Sequence, residues 1–117
     1  MQYLLLIHAN ESGFAALPRD VAEKAMSAYS AYTEALKKAK VWVGGERLRP
    51  STSTSTVRVV DGKTKVQDGP FAETKEQLGG YYLINVADLD AALKWAAKCP
   101  GAQHGTIEVR PVWEAEM

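Results

Sequence analysis

The run Tyr3-Leu4-Leu5-Leu6-Ile7 places apolar side chains on both faces of any strand it forms, because successive side chains point to opposite sides of a sheet. Tyr81-Tyr82-Leu83-Ile84 does the same. An antiparallel sheet covered on one face alternates apolar and polar residues, and neither run alternates. Both faces of these strands therefore need cover. The 117 residues suffice for one core, and helices can cover one face of it. A second copy packed sheet to sheet is the simplest cover for the other, with a layer of long loops as the alternative. Left wet, such a face would cost about 25 cal/mol per Å² of apolar surface.

The rest of the chain sorts into elements around those strands. From Pro18 to Ala39 the residues Val21, Ala25, Tyr29, Tyr32, Leu36 and Ala39 recur every three or four positions, which predicts an amphipathic helix. Asp20 and Glu23 near its start and Lys37 and Lys38 near its end suit the helix dipole. Val41 to Leu48 reads as a strand interrupted by Gly44-Gly45. Thr56 to Val60 and Lys63 to Gln67 read as a hairpin, turned by Asp61-Gly62. Ala72 to Gln77 is a polar segment with helical potential. Asp88 is a good N-cap for a helix through Leu89, Ala92, Leu93, Ala96 and Ala97, and Thr106 to Val112 is the last strand. Without the hairpin the order is β-α-β-β-α-β, the ferredoxin-like α+β pattern. No linker interrupts it, so residues 1–117 are expected to form a single domain.

Charge and composition exclude several functions. Fourteen basic residues balance fourteen acidic ones, so no net field draws nucleic acid to the chain. The opening residues lack the basic leader of a signal peptide and the roughly 20 apolar residues of a membrane span. No membrane partner is expected. The single cysteine, Cys99, fits a reducing cytoplasm and a structural role. No His/Cys/Asp/Glu set has metal-ligand spacing, no serine sits in a nucleophile elbow, and the Gly-Gly pairs match no phosphate-binding loop. Neither a metal nor another cofactor is expected.

Chemistry is sought in the last strand. Thr106, Glu108 and Arg110 share one face with His104 upstream in the same parity, while Ile107 and Val109 take the other. A carboxylate, a guanidinium and an imidazole turned into a dimer layer can bind a small anion or move a proton. The plainer reading is an edge strand with one solvated, charged face. His8 has the parity of Leu4 and Leu6 and is expected in the same layer. Asp68, Glu73 and Glu76 bring carboxylates to the Gly-Pro turn, where Asp68 more ordinarily serves the backbone.

The stretch from Asp68 to Tyr82, Asp-Gly-Pro-Phe-Ala-Glu-Thr-Lys-Glu-Gln-Leu-Gly-Gly-Tyr-Tyr, closely resembles the signature of the DGPF proteins in the YCII-related family. Val43 to Glu46, Thr56 to Val60 and the run from His104 through Pro111 extend the resemblance over nearly the whole chain. It implies a dimeric α+β barrel and a His–Asp pair in a cleft, for which the matching positions here are His104 and Asp68. Lys40 departs from it, since relatives tend to carry glycine after the first helix. Two functions are expected from residues and resemblance together. The first is a small-molecule-binding homodimer with acid–base activity, using His104, Asp68 and His8 as catalytic candidates. Arg110, Glu108, Phe71, Glu73 and Lys75 are its ligand-binding candidates. The second is a regulatory module with a sigma-factor-linked signalling partner and no chemistry.

Overall fold

The computed structural model describes residues 1–114. Positions 115–117, the end of the expected domain, lie outside the described residues. Strand β1 (Gln2–Ala9) leads through a short helix α1 (Glu11–Ala15) into the long helix α2 (Arg19–Lys38). Strand β2 (Trp42–Arg47), the hairpin β3 (Ser55–Val60) and β4 (Lys63–Asp68), and strand β5 (Gln77–Asn85) follow. Helix α3 (Leu89–Lys98) and strand β6 (Thr106–Pro111) complete the chain. Four strands form one antiparallel sheet in the order β2-β5-β1-β6, while β3 and β4, among the described residues, pair only with each other. This is the ferredoxin-like α+β arrangement with an inserted hairpin.

The two faces of the sheet differ as the apolar runs require. Tyr3, Leu5 and Ile7 of β1 and Tyr82 and Ile84 of β5 are buried against Tyr32 and Leu36 of α2 and Ala92 and Ala96 of α3. The Tyr32 hydroxyl donates to the Trp95 carbonyl at 2.6 Å, tying one helix to the other. Its ring meets Tyr82 edge-on at 5.2 Å, a favourable aromatic geometry. Leu4, Leu6, Tyr81 and Leu83 point the other way and are only half-buried, because among the described residues no helix covers their face.

Short-range chemistry sets the ends of the elements. The Asp88 carboxylate accepts the Ala91 N–H at 2.9 Å and caps α3. The Asn10 side chain accepts the Gly13 N–H at 2.9 Å and starts α1. At the end of α2, the Val41 N–H reaches the Leu36 carbonyl and the Lys40 N–H reaches that of Lys37. That pair of bonds is a Schellman motif, and it holds Lys40 at φ 62°. Asp61 and Gly62 both have positive φ, as a two-residue hairpin turn demands.

Two details depart from the sequence reading. Residues 72–76 form no helix, and Gln77 already belongs to β5. The Gln77 amide donates to the Thr74 carbonyl at 2.6 Å and the Thr74 hydroxyl to the Glu76 carbonyl. These side chains serve the backbone in place of a helical ladder. His104 ends a 3₁₀ turn at Pro100–Gln103 instead of extending β6, so strand parity does not govern it.

Candidate functional site

The register of β1 on β6 brings His8 opposite Thr106, Leu6 opposite Glu108 and Leu4 opposite Arg110. All six side chains lie on the face that the helices leave open. There His8 Nε2 stands 3.1 Å from Glu108 Oε1, and Glu108 Oε2 stands 3.6 Å from Arg110 Nη2. One carboxylate thus bridges an imidazole and a guanidinium. The Thr106 hydroxyl donates to Glu76 Oε1 at 2.7 Å, which draws the segment before β5 against the same strand. His8, Glu76, Thr106 and Glu108 line a depression of about 430 Å³.

This cluster contributes little to folding, because partly exposed ion pairs are solvated and screened. Its chemical capacity is clearer. In the tautomer that donates from Nε2 to Glu108, the imidazole keeps a lone pair on Nδ1 and can accept a proton. The carboxylate then steadies the imidazolium that results. Arg110, two-thirds exposed beside it, is free to pair with an anionic group as well.

The remaining candidates lie elsewhere. Asp68 ends β4 opposite Ser55 and is exposed. Glu73 and Lys75 are exposed in the following segment, and the Phe71 ring is 88% exposed. The His104 side chain is exposed too. Among the described residues, Asp68 and His104 share no hydrogen bond, and neither lines the depression. The signature residue that reaches the cluster is Glu76.

A larger cavity of about 620 Å³ opens on the opposite face, under the middle of α2 from Met26 to Thr33. Phe14, Met26, Tyr29, Thr33, Trp42, Arg47 and Tyr82 are among its walls. The sequence reading missed it. Tyr29 falls on the apolar stripe of α2 and Tyr82 in an apolar strand, so both patterns announce core. A weak signal was available in the small polar side chains of Ser30 and Thr33, which flank Tyr29 on the same helix and line the cavity with it. Burial pushes the Tyr29 phenol up to about 12 and raises Tyr82 as well. Both rings therefore stay protonated around neutral pH. Among the described residues no His/Cys/Asp/Glu group is arranged to hold a metal, and no helix is long and apolar enough to cross a membrane.

The family follows from comparison of the whole chain. The YCII-related domain model matches residues 1–116. The chain belongs to the YCII-related domain family. This YCII-related domain is 43% identical to an uncharacterized protein of Rhizobium meliloti (strain 1021), over 96% of this chain and 92% of that one. Among solved structures it resembles a 5-chloro-2-hydroxyhydroquinone dehydrochlorinase of Burkholderia phenoliruptrix in complex with 2,5-dihydroxybenzoquinone. The TM-score is 0.57 at 14% identity, covering 98% of this chain and 96% of that one. At that identity the likeness supports the ferredoxin-like fold of the YCII-related domain and nothing more specific.

Proposed function

We propose that this YCII-related domain is a small-molecule-binding homodimer of the DGPF branch, closed sheet to sheet, with His8 and Glu108 as an acid–base pair. The observation that carries this reading is the 3.1 Å approach of His8 Nε2 to Glu108 Oε1 on the uncovered face, with Arg110 beside it. In a dimer of this kind the apolar residues Leu4, Leu6 and Leu83 form the buried layer, and the polar cluster sits at its margin. Arg110 takes an anionic group of the ligand, and His8 moves a proton on it. The solved neighbour is a dehydrochlorinase holding a small ring compound, so a fold of this kind serves as an enzyme scaffold. Cytoplasmic location belongs to the same reading, on the single unpaired cysteine. The alternative, a sigma-factor-linked signalling partner, rests on the resemblance alone.

Native mass spectrometry of the gently purified chain tests the proposal. The expected result is a dimer carrying a co-purified small molecule that is lost from His8→Asn and Glu108→Gln while the dimer persists. A monomer at micromolar concentration overturns the sheet-to-sheet dimer. A dimer whose bound molecule is indifferent to both substitutions overturns the role of the pair.

A further inference from the structure

The cavity under α2 lies across the sheet from His8 and takes no part in the function proposed above. Its dimensions fall within the usual range for small-molecule sites, and its walls are unusually well held. Trp42 meets Tyr82 edge-on with centroids 5.9 Å apart, and Tyr82 in turn meets Tyr32. The glycine at position 45 is what allows the first of these contacts. A β-carbon there would stand 3.0 Å from the Tyr82 ring and 3.2 Å from that of Trp42. The rings are thus fixed by packing before any ligand arrives, which spares the cost of ordering them on binding.

The polar groups are placed with equal definition. The Thr33 hydroxyl donates to the Tyr29 carbonyl at 3.0 Å, so its contact with the Tyr82 hydroxyl at 3.0 Å is received from Tyr82. The inner wall consequently presents oxygen acceptors and no spare donor from this chain of bonds. At the mouth, Arg47 lies over the Phe14 ring at 5.4 Å, a cation–π contact that positions its guanidinium without consuming its hydrogen-bond donors. Arg49 stands beside it on the cavity wall. Glu11, also on the wall, keeps its negative charge, since both its oxygens accept from Ser51 and those bonds lower its pKa. Glu46 also borders the cavity, but its register with Tyr81 turns its side chain to the other face of the sheet. Arg47 and Arg49 thus exceed Glu11 by one positive charge over an apolar, ring-lined interior.

From these features we infer a second ligand site in this cavity, which takes a flat aromatic ring bearing a carboxylate. The ring lies against Trp42 and Tyr82, and the carboxylate meets the Arg47 guanidinium at the mouth.

Calorimetric titration of the native chain with 2-naphthoate, and with the uncharged 2-naphthamide, tests the assignment. Saturable binding of 2-naphthoate at one site per chain is expected. Arg47→Gln should weaken 2-naphthoate by about tenfold or more, the usual scale for losing a charge-assisted hydrogen bond, and leave 2-naphthamide unchanged. Ser30→Trp, which fills the cavity from α2, should abolish both. If that variant fails to fold, NMR of the native chain serves instead, and 2-naphthoate should shift the indole N–H of Trp42 while sparing that of the exposed Trp113. Absence of binding, binding that survives Ser30→Trp, or shifts at Trp113 in place of Trp42 would overturn the site. An unchanged preference for the acid in Arg47→Gln would overturn the role of the arginine.

Discussion

A β-carbon at Gly101 would stand 2.5 Å from the Tyr29 hydroxyl oxygen and 3.0 Å from Cγ2 of Ile7. The 3₁₀ turn that follows α3 is thereby pressed against α2 and β1 at one bare backbone position. Gly101→Ala should destabilise the fold by about 1–3 kcal/mol, the usual effect of overpacking a close-fitted site. Urea denaturation measures it. Tyr29→Phe removes the obstructing oxygen, so the double variant should lose less than the sum of the two single losses.

Lys40 holds a left-handed conformation at φ 62° because the Schellman bonds of α2 demand one there. A non-glycine residue is penalised by about 1–2 kcal/mol in that region. Glycine relieves this but loosens the unfolded chain by about 0.4–1 kcal/mol. Lys40→Gly should therefore stabilise the protein slightly, by about 0.5–1 kcal/mol net. A lower urea midpoint for Lys40→Gly would contradict the strain assigned to this cap.

Burial raises the phenols of Tyr29, Tyr32 and Tyr82 above their ordinary value of 10.0, Tyr29 to about 12, and raises the Cys99 thiol above 9.0. Each group is neutral when protonated, so the unfolded chain releases these protons first as pH rises. The folded state then binds more protons than the unfolded one, and stability must fall with pH. The contribution is intact below about pH 9 and is lost as pH climbs through 10 towards the folded values. Urea midpoints measured from pH 8 to 11 should decline, with the phenolates of Tyr29, Tyr32 and Tyr82 appearing only alongside unfolding. Phenolate absorbance from all five tyrosines near pH 10 in the folded protein would refute this.

The open face of the sheet supplies a test of assembly. Leu6 and Leu83 sit on the two central strands with their side chains away from the helices. If that face closes a dimer, Leu83→Arg should buries an unpaired charge in the interface and shift sedimentation to the monomer. The variant should keep the far-UV circular dichroism of the native chain, since Leu83 is outside the helix-covered core.

Much of this architecture is legible in the sequence because it depends on short-range rules. Apolar residues on both parities of Tyr3–Ile7 and Tyr81–Ile84 announce strands in need of cover on two sides. Asp61-Gly62 and Asp88 carry their turn and cap wherever the chain places them, and the α2 stripe dictates the face that Tyr32 and Leu36 bury. The short helix α1 escaped that reading, since five residues have no periodicity to show and depend on the Asn10 cap.

The two candidate sites belong to the other category. Glu108 meets His8 across a hundred positions of sequence only because β6 pairs with β1 in one particular register, and a slip of one residue would send the carboxylate to the helix face. The parity of Thr106, Glu108 and Arg110 was visible beforehand, but the partner of Glu108 was not. The cavity under α2 depends on how the helix packs on the sheet, where Tyr32 and Leu36 are buried in the core while Met26, Tyr29, Ser30 and Thr33 line open space. Local pattern sets which side chains face inward; long-range packing alone decides whether the space between them is filled.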